Sequence, residues 1–425
     1  MDGTAQFPRF ALASLAEAAA DSPAVYVHGA RQCGKTTLVQ QFGRQRGYTY
    51  LTFDDAAVLA AARADPAGFA ADLPPRAILD EVQRVPGLMP SLKLAIDRQR
   101  EPGRLVLTGS ADVLAAGQIA ESLAGRVAAV RLHPLAQCEL AGQPSAFLDR
   151  LLGEGFTMAT TQRLGAQLLP LVVAGGYPAA LRRTTEGRRA AWYRDYHQSL
   201  IDRDVRELAR IQGLSALPRL LAACAAQTAG LFNASDLAAP FALSRPTISD
   251  YLVLLQRVFL IHLLPPWHHH ALSRLVKTPK LHIGDSGLAC ALLGLDSASI
   301  AKDRQRLGPL LETFVVQELR RMASWRAQPL ELLHFRDKEG AEVDCVLAAG
   351  EHAVAGVEVK AGATVTAADF AGLRKLQAAA GDAFRGGAVV YDGEVTLPFG
   401  PQLWAVPLAR LWEAAEATAG EAHGR

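Results

Sequence analysis

The sequence lacks the features that mark disulfide-stapled, zinc-stapled and membrane-embedded proteins. Its 425 residues include only five cysteines, widely spaced and without a CxxC pair, which argues against a disulfide framework or a structural zinc site. No apolar run approaches the ~20 residues of a membrane span. The first ten residues, MDGTAQFPRF, lack the basic stretch of a signal peptide. We therefore expect a cytoplasmic protein with no membrane partner.

Net charge is also small, because 44 Lys and Arg nearly balance 42 Asp and Glu. A net charge of +2 excludes a protein that coats polyanions along its whole length. The charge is uneven, however: residues 181–280 contain fourteen Lys and Arg against seven Asp and Glu, which leaves −5 for the remainder. Half of the residues are hydrophobic, enough for large cores, and the length predicts about two to four domains.

Residues 29–36, GARQCGKT, match the pattern GxxxxGK[ST] between an apolar strand at 24–28 and a helix that begins at Lys35. Glycines let backbone N–H groups surround phosphate, Lys35 can reach the outer phosphates, and the Thr36 hydroxyl can ligate Mg²⁺. The pattern predicts ATP and Mg²⁺ as cofactors. The predicted phosphate cradle comprises Gly29, Ala30, Arg31, Gln32, Cys33, Gly34, Lys35, Thr36 and Thr37.

Two acids and two hydroxyls follow later apolar strands. Asp80 and Glu81 end the strand at 77–79, where Asp80 would complete the Mg²⁺ shell and Glu81 would polarise the attacking water. Thr108 and Ser110 end the next strand and are both candidates for a group between these acids and the γ-phosphate. A plain turn at that strand end is the alternative. Strands alternating with helices predict a parallel α/β core over residues 1–135.

The P-loop, the DE pair, LTGS at 107–110 and ESLAGR at 121–126 resemble, in this order, the AAA+ ATPases. More closely, the chain is similar to bacterial and archaeal proteins that join an AAA ATPase domain to a C-terminal domain of unknown function. The segments that carry this resemblance are GGYPAALR at 175–182, Trp192–Tyr196, LVKTPKLHIGDSGLACALLG at 275–294 and GPLLETFVVQEL at 308–319.

The resemblance covers nearly all of residues 20–365. It implies a homo-oligomeric, hexameric ring in which Arg126 acts on a neighbouring subunit's nucleotide and Arg182 serves as a sensor in the lid. Judged from its sequence position alone, Arg126 could equally be a surface arginine.

The middle of the chain is predicted to be helical. Residues 136–215 are expected to form a lid, and residues 216–295 a winged-helix domain, since two helices joined at Ser244 precede two β-like runs. The exposed start of the second helix offers Arg245, Thr247 and Ser249 to DNA. The alternative is a winged helix that only packs between domains.

The final unit, residues 296–425, contains a spaced set of carboxylates. Asp344 lies on one predicted strand, Glu358 and Lys360 share one face of the next, and Glu312 lies on a preceding helix. This order resembles the PD-(D/E)xK nuclease core, in which Asp344 and Glu358 would bind Mg²⁺ and Lys360 would position water. The alternative is a nuclease-like domain that keeps these residues without cleaving.

Together these patterns predict a multi-domain α/β protein: an AAA+ parallel-sheet core with a helical lid, a winged helix-turn-helix, and a restriction-endonuclease-like C-terminal domain. Its expected function is ATP hydrolysis coupled to DNA translocation, branch migration or processing, as in a DNA motor or helicase. One alternative is a signalling or defence NTPase switch whose winged helix contacts a protein and whose nuclease-like domain is inactive. The other is a DNA-binding regulator without a motor.

Overall fold

The computed structural model describes residues 7–110, 125–205, 216–241, 243–267 and 278–414. These residues form three β-sheets, of five, three and six strands, joined by helices. In this part of the chain, no helix has both the length and the apolar character needed to cross a membrane. Each of the five cysteines is a buried free thiol.

The N-terminal sheet is parallel throughout, in the order β2-β3-β4-β1-β5. Its strands are β1 (Ala24–His28), β2 (Thr49–Thr52), β3 (Ala77–Asp80), β4 (Leu105–Gly109) and β5 (Val127–Arg131). The helices of this unit are α1 (Ala11–Asp21), α2 (Lys35–Arg44), α3 (Ala56–Ala64), α4 (Pro66–Ala71) and α5 (Met89–Arg98). Sequence analysis missed β5, because this edge strand is mostly half-exposed and has no clear apolar run.

Both faces of this sheet are covered. Val25 and Val27 of β1 point into one core, and Ala24 and Tyr26 point into another on the opposite face. This alternation follows from the two-residue period of a strand, and burial on both faces is the rule for parallel sheets.

Helices dominate the middle of the chain. They are α6 (Gln137–Ala141), α7 (Phe147–Leu152), α8 (Leu168–Ala174), α9 (Pro178–Leu181) and α10 (Glu186–Leu200), after which Ile201–Val205 forms one π-helical turn. The remainder of the predicted long helix, residues 206–211, lies outside the described residues. Segment 145–165, expected in the lid, packs on the C-terminal sheet instead: α7 contacts two of its strands, and the Ser145 hydroxyl donates to Leu411 O at 2.7 Å.

A three-helix unit with a small antiparallel sheet follows. Its elements are α11 (Leu217–Ala226), β6 (Gly230–Leu231), α12 (Ala234–Phe241), α13 (Arg245–Arg257), β7 (Ile261–Leu264) and β8 (Lys280–Ile283), with sheet order β6-β8-β7. Ser244 caps α13, as predicted, because its hydroxyl accepts from Thr247 N at 3.3 Å. His268, His269 and His270 are adjacent in sequence and are therefore expected to form a polar wing tip rather than a metal site, but they lie outside the described residues.

The C-terminal unit has a mixed sheet in the order β13-β14-β12-β11-β10-β9. Its strands are β9 (Glu331–Arg336), β10 (Glu342–Ala349), β11 (Ala353–Lys360), β12 (Phe384–Tyr391), β13 (Leu397–Gly400) and β14 (Leu403–Pro407). Helices α14 (Ser286–Leu293) and α15 (Ser297–Lys302) connect β8 to this unit, and α14 packs mostly on the middle helices α8, α10 and α11. Helices α16 (Leu307–Ser324) and α17 (Ala371–Ala380) belong to the unit itself. Strands β9, β10 and β11 pair antiparallel, whereas β11, β12 and β14 pair parallel. Helices α16 and α17 cover opposite faces.

One hydrophobic core runs through all three units, from Ala11 in α1 to Leu411 near the end of the described chain. Two smaller cores lie on the far faces of the five-stranded and six-stranded sheets. The units therefore share buried surface, so a change in one has a packed route to the others.

Candidate nucleotide-binding site

The predicted P-loop lies between β1 and α2. Gly34 caps α2 in a left-handed conformation (φ 105°), which a side chain would strain. A Cβ on Gly29 would lie 2.0 Å from Leu132 O, so only glycine fits there. The Lys35 side chain is buried, and its Nζ donates to Gly29 O at 2.9 Å and to Ala30 O at 3.0 Å. The loop thus holds its lysine close to the phosphate cradle.

Three hydroxyls surround Asp80. Its Oδ2 accepts from Thr36 Oγ1 at 3.0 Å and from the Tyr50 hydroxyl at 2.6 Å, and its Oδ1 accepts from Thr108 Oγ1. Burial and then the hydrogen bond to Asp80 raise the pKa of Tyr50. A hydroxyl beside a carboxylate is an oxygen donor set that suits Mg²⁺. Thr36 and Asp80 therefore fit the predicted metal. Tyr50 was missed because nothing in the sequence places β2 beside β3.

Glu81 follows in a left-handed conformation (φ 62°), uncommon for a residue with a side chain. Its backbone N donates to Thr108 Oγ1 at 3.0 Å, so Thr108 contacts both acids. The predicted place of Thr108 or Ser110 between these acids and the γ-phosphate stays a prediction. The Gln83 amide donates to the Glu81 carboxylate and to Ser110 Oγ, the latter at 2.9 Å. Gln83 was missed by sequence analysis, although it lies only two residues beyond Glu81.

Arg9 braces the end of the loop from outside the motif. Its guanidinium donates to Cys33 O and to His133 O, each at 2.6 Å, and to the buried Glu139 carboxylate at 3.0 Å. No pattern in the sequence indicated this residue, because its partners are 24 to 130 positions away.

A second brace comes from α10. The Tyr196 hydroxyl lies 3.0 Å from Arg31 O in the P-loop and 3.1 Å from the Tyr177 hydroxyl. Trp192 stacks on Tyr196 with ring centroids 4.9 Å apart. The GGYP and Trp192–Tyr196 segments therefore meet at the nucleotide loop.

Among the described residues, none of the P-loop contacts named above involves Arg126 or Arg182, the two arginines expected to act on nucleotide, and their roles stay predictions. Arg126 immediately precedes β5, at the amino-terminal ends of the parallel strands, whereas the P-loop lies at their carboxyl ends. Its Nε donates to Asp97 Oδ1 at 2.7 Å. Hydrogen bonds from Arg126 and then Arg100 lower the pKa of Asp97 to about 2. Arg182 follows α9 with an exposed side chain. Residues 121–124 of ESLAGR lie outside the described chain.

Residues 21–141 match the family model described as "AAA domain". The N-terminal unit is an AAA-type P-loop domain. Residues 166–299 match "Domain of unknown function (DUF8612)", and residues 307–411 match "Domain of unknown function (DUF4143)".

Two curated relatives are similar along almost the whole chain. They are uncharacterized proteins of Mycobacterium bovis and Mycobacterium tuberculosis, each 29% identical over 406 residues, which cover 95% of this chain and 84% of the relative. Among solved structures, a Walker-type ATPase of Pyrococcus abyssi is 17% identical with a TM-score of 0.42, covering 66% of this chain and 94% of that one.

Behind the AAA-type domain, a buried network joins all units; we call it the Asp285 junction (Asp285, Arg321, Glu318, Tyr193 and Gly176). Asp285 accepts from Gly176 N at 2.7 Å and Arg321 Nη2 at 3.0 Å, and lies 2.8 Å from the Tyr193 hydroxyl. Arg321 also donates to Glu318 at 2.6 Å. Glu318 in turn accepts from Gln137 N at 2.8 Å, just beyond the AAA-type sheet.

The four predicted nuclease residues, Glu312, Asp344, Glu358 and Lys360, lie in one region of the C-terminal unit, with the unpredicted Lys280 among them. Glu312 and Asp344 both contact Lys280, whose Nζ lies 2.8 Å from Glu312 Oε1 and 2.9 Å from Asp344 Oδ1. Glu358 pairs with Lys360 at 2.9 Å. Lys280 is one of the fourteen Lys and Arg of the basic stretch at 181–280, but its side chain is 1% exposed, so it offers no charge to a nucleic-acid partner.

A divalent ion does not fit this arrangement. Asp344 already accepts from Lys280 through Oδ1 and from Val359 N, at 2.9 Å, through Oδ2. Glu358 Oε1 accepts from Lys360 Nζ at 2.9 Å, and burial, followed by the negative charge of Asp344, raises the pKa of the Glu358 carboxyl to about 8. Across the described ranges, no group of three or more His, Cys, Asp or Glu has the geometry to hold a metal ion.

Proposed function

We propose that the protein is a Mg²⁺-dependent ATPase whose AAA-type domain works as a nucleotide-driven switch on the middle and C-terminal units. One observation carries the proposal: Thr36, Asp80 and Thr108 lie in one hydrogen-bonded set at the carboxyl ends of neighbouring strands, with Glu81 attached to it. Ligands of open parallel sheets bind at this edge.

Each residue then has a defined task. Lys35 would exchange its bonds to Gly29 O and Ala30 O for the outer phosphates. Thr36 and Asp80 would hold Mg²⁺, which when bound neutralises charge on the phosphates. Glu81 would orient and polarise the attacking water, while Thr108 keeps the two acids in register.

Two substitutions test this chemistry. Lys35→Ala should abolish ATP binding, because the phosphates lose their cation. Glu81→Gln should bind ATP but hydrolyse it at least about a hundredfold more slowly, the usual range for loss of a general base. The exposed Lys302→Ala and Glu154→Gln are matched controls that should keep wild-type turnover. Normal turnover in either test variant would refute the assignment.

The switch is supported by the contact between Tyr196 and the P-loop carbonyl of Arg31. A nucleotide that rearranges the loop would change this contact and the stacking of Trp192 on Tyr196. ATP should therefore alter tryptophan fluorescence, and Tyr196→Phe should diminish that change without abolishing ATP binding. A fluorescence change that persists in Trp192→Phe would show that the reporter lies elsewhere.

DNA contact through the middle unit is a second proposal. The order α11, β6, α12, α13, β7, β8 is that of a winged helix, and Arg245 and Ser249 are exposed at the start of α13. Thr247 is less available, since its hydroxyl lies 2.8 Å from Ser244 Oγ.

Charge reversal tests this surface. Arg245→Glu should weaken DNA binding and reduce the dependence of log K on log[salt] by about one counterion. Arg304→Glu, an exposed arginine outside this unit, is the matched control. Unchanged affinity in Arg245→Glu would favour a winged helix that contacts only protein. Strong stimulation of ATP turnover by single-stranded, duplex or junction DNA would favour a motor over a switch.

Ring assembly is proposed only from the resemblance. If Arg126 completes a neighbour's site, mixing Arg126→Ala with Lys35→Ala protein should restore part of the turnover. For this role Arg126 must leave Asp97 at the subunit interface. A protein that sediments as a monomer with and without ATP would exclude it.

For the C-terminal unit we propose a restriction-endonuclease-like fold. The order α16, three antiparallel strands β9 to β11, α17 and then the parallel strand β12 supports it. Fold alone does not establish cleavage, and the contacts of Lys280 bear directly on that question.

A further inference from the structure

Lys280 is the first residue of β8, yet its side chain ends in the C-terminal unit. Its Nζ contacts Glu312 of α16, and Asp344 and Glu342 of β10, and only 1% of the side chain is exposed. We call these four residues the Lys280 cluster. A β-bulge between Val343 and Val346 interrupts the pairing of β10 with β9 at Asp344, and such bulges re-aim side chains.

The acids around this cluster pair with cations of the protein itself. Four carboxylates lie here, on Glu312, Glu342, Asp344 and Glu358, together with the cations of Lys280, Lys360 and Arg336. Lys280 pairs with Glu312, Glu342 and Asp344, while Arg336 pairs with Glu342 and Lys360 with Glu358. Each of the four acids therefore already has a cation of the protein beside it.

The neighbours of Lys280 hold β8 in place. His282 Nδ1 lies 3.2 Å from Thr313 Oγ1, and Gln317 Nε2 donates to Ile283 O at 2.9 Å. Together with the pair between Lys280 and Glu312, these contacts tie three of the four residues of β8 to α16. Lys280 is therefore part of a fixed interface rather than a mobile side chain.

We propose that Lys280 is the resident cation of the C-terminal carboxylate cluster, that it takes the place of a divalent metal ion there, and that it joins β8 to α16 and β10. The ammonium lies between Glu312 and Asp344, and these are two of the carboxylates that a metal in a nuclease centre would need. A metal ion and the ammonium would be like charges sharing these oxygens, which is unfavourable in a buried site. The cluster therefore serves as an ion-pair joint between units.

Mn²⁺ binding to the full-length, nucleotide-free protein tests this proposal by electron paramagnetic resonance. In wild type and in the control Lys302→Met, the substitution Asp344→Asn should not reduce the amount of bound Mn²⁺. Lys280→Met should gain one site, at least tenfold tighter than any binding in wild type, and Lys280→Met/Asp344→Asn should lose it. An ion bound at the P-loop would be present both with and without Asp344→Asn, so the difference between the two proteins reports only on the cluster. The result therefore does not depend on ATP turnover.

Thermal unfolding gives a second measurement. Lys280→Met should lower the melting temperature, and adding Asp344→Asn should recover part of the loss, because one of the unpaired buried acids is removed. If Lys280→Met does not fold, the comparison of Mn²⁺ binding between wild type and Asp344→Asn still tests the proposal. Stoichiometric Mn²⁺ binding in wild type that Asp344→Asn abolishes, or Mn²⁺-dependent DNA cleavage lost in Asp344→Asn, would overturn the proposal.

Discussion

Replacing Asp285 with asparagine should destabilise the protein well beyond the effect of a surface substitution. The side chain keeps its shape, but one carboxylate oxygen becomes an amide NH₂. In wild type, Oδ2 accepts from Gly176 N at 2.7 Å and from Arg321 Nη2 at 3.0 Å. The other oxygen accepts from Gly287 N and Leu288 N at the start of α14. In either orientation of the asparagine side chain, its NH₂ group therefore faces N–H donors, with which it cannot form hydrogen bonds.

The magnitude follows from burial and from the partners that remain. Breaking one side of a buried ion pair costs about 3–5 kcal/mol. Arg321 keeps its second carboxylate, Glu318, at 2.6 Å, so its charge is not left wholly uncompensated. We therefore expect a loss near the lower limit, about 3 kcal/mol in the free energy of unfolding. Asp285→Asn/Arg321→Met should lose less than the sum of the two single variants, since the substituted residues are in contact.

Urea unfolding followed by tryptophan fluorescence measures this loss, because Trp192 packs on Tyr193 with ring centroids 5.0 Å apart. The matched control is Asp296→Asn, the same chemical change at the N-cap of α15, where the carboxylate is exposed and accepts from Ser299 N at 2.8 Å. Asn and Asp cap equally well, so the control should lose less than about 0.5 kcal/mol. Equal small losses in both variants would refute the role assigned to the Asp285 junction.

Two further predictions concern turnover and pH. Gln83→Ala should raise basal ATP turnover about two- to tenfold with little change in KM, because the Gln83 amide no longer competes with the attacking water for the Glu81 carboxylate. Steady-state kinetics would show the increase, and slower turnover would contradict it. Since burial raises the pKa of Glu358 from 4.5 to about 8, its contribution to stability is fully present below pH 4.5 and is lost as pH rises to 8. Glu358→Gln should remove this loss, about 2 kcal/mol between pH 6 and 8 in urea unfolding, and an unchanged pH profile would contradict it.

The nucleotide site shows how far sequence alone can lead. Gly29, Gly34, Lys35 and Thr36 act within one turn of chain between a strand and a helix, so their chemistry depends on neighbours in sequence. The acids at the end of β3 and the cap of α13 at Ser244 are local in the same sense. Tyr50, Gln83 and Arg9 escaped prediction, because their tasks depend on which strand or loop lies alongside.

What the sequence determined by itself was therefore local: the phosphate loop, a hydroxyl and an acid suited to Mg²⁺, most strands, and the cap of α13 at Ser244. The tertiary structure alone decided which charges meet across units. Lys280 lies 32 residues from Glu312 and 64 from Asp344. It belongs to the three-stranded sheet, whereas Glu312 lies on α16 and Asp344 on the six-stranded sheet. Nothing in the spacing of these residues indicates their contact. It arises because β8 packs along α16 and a bulge redirects Asp344, so a side chain counted as a surface cation becomes the buried partner of three acids.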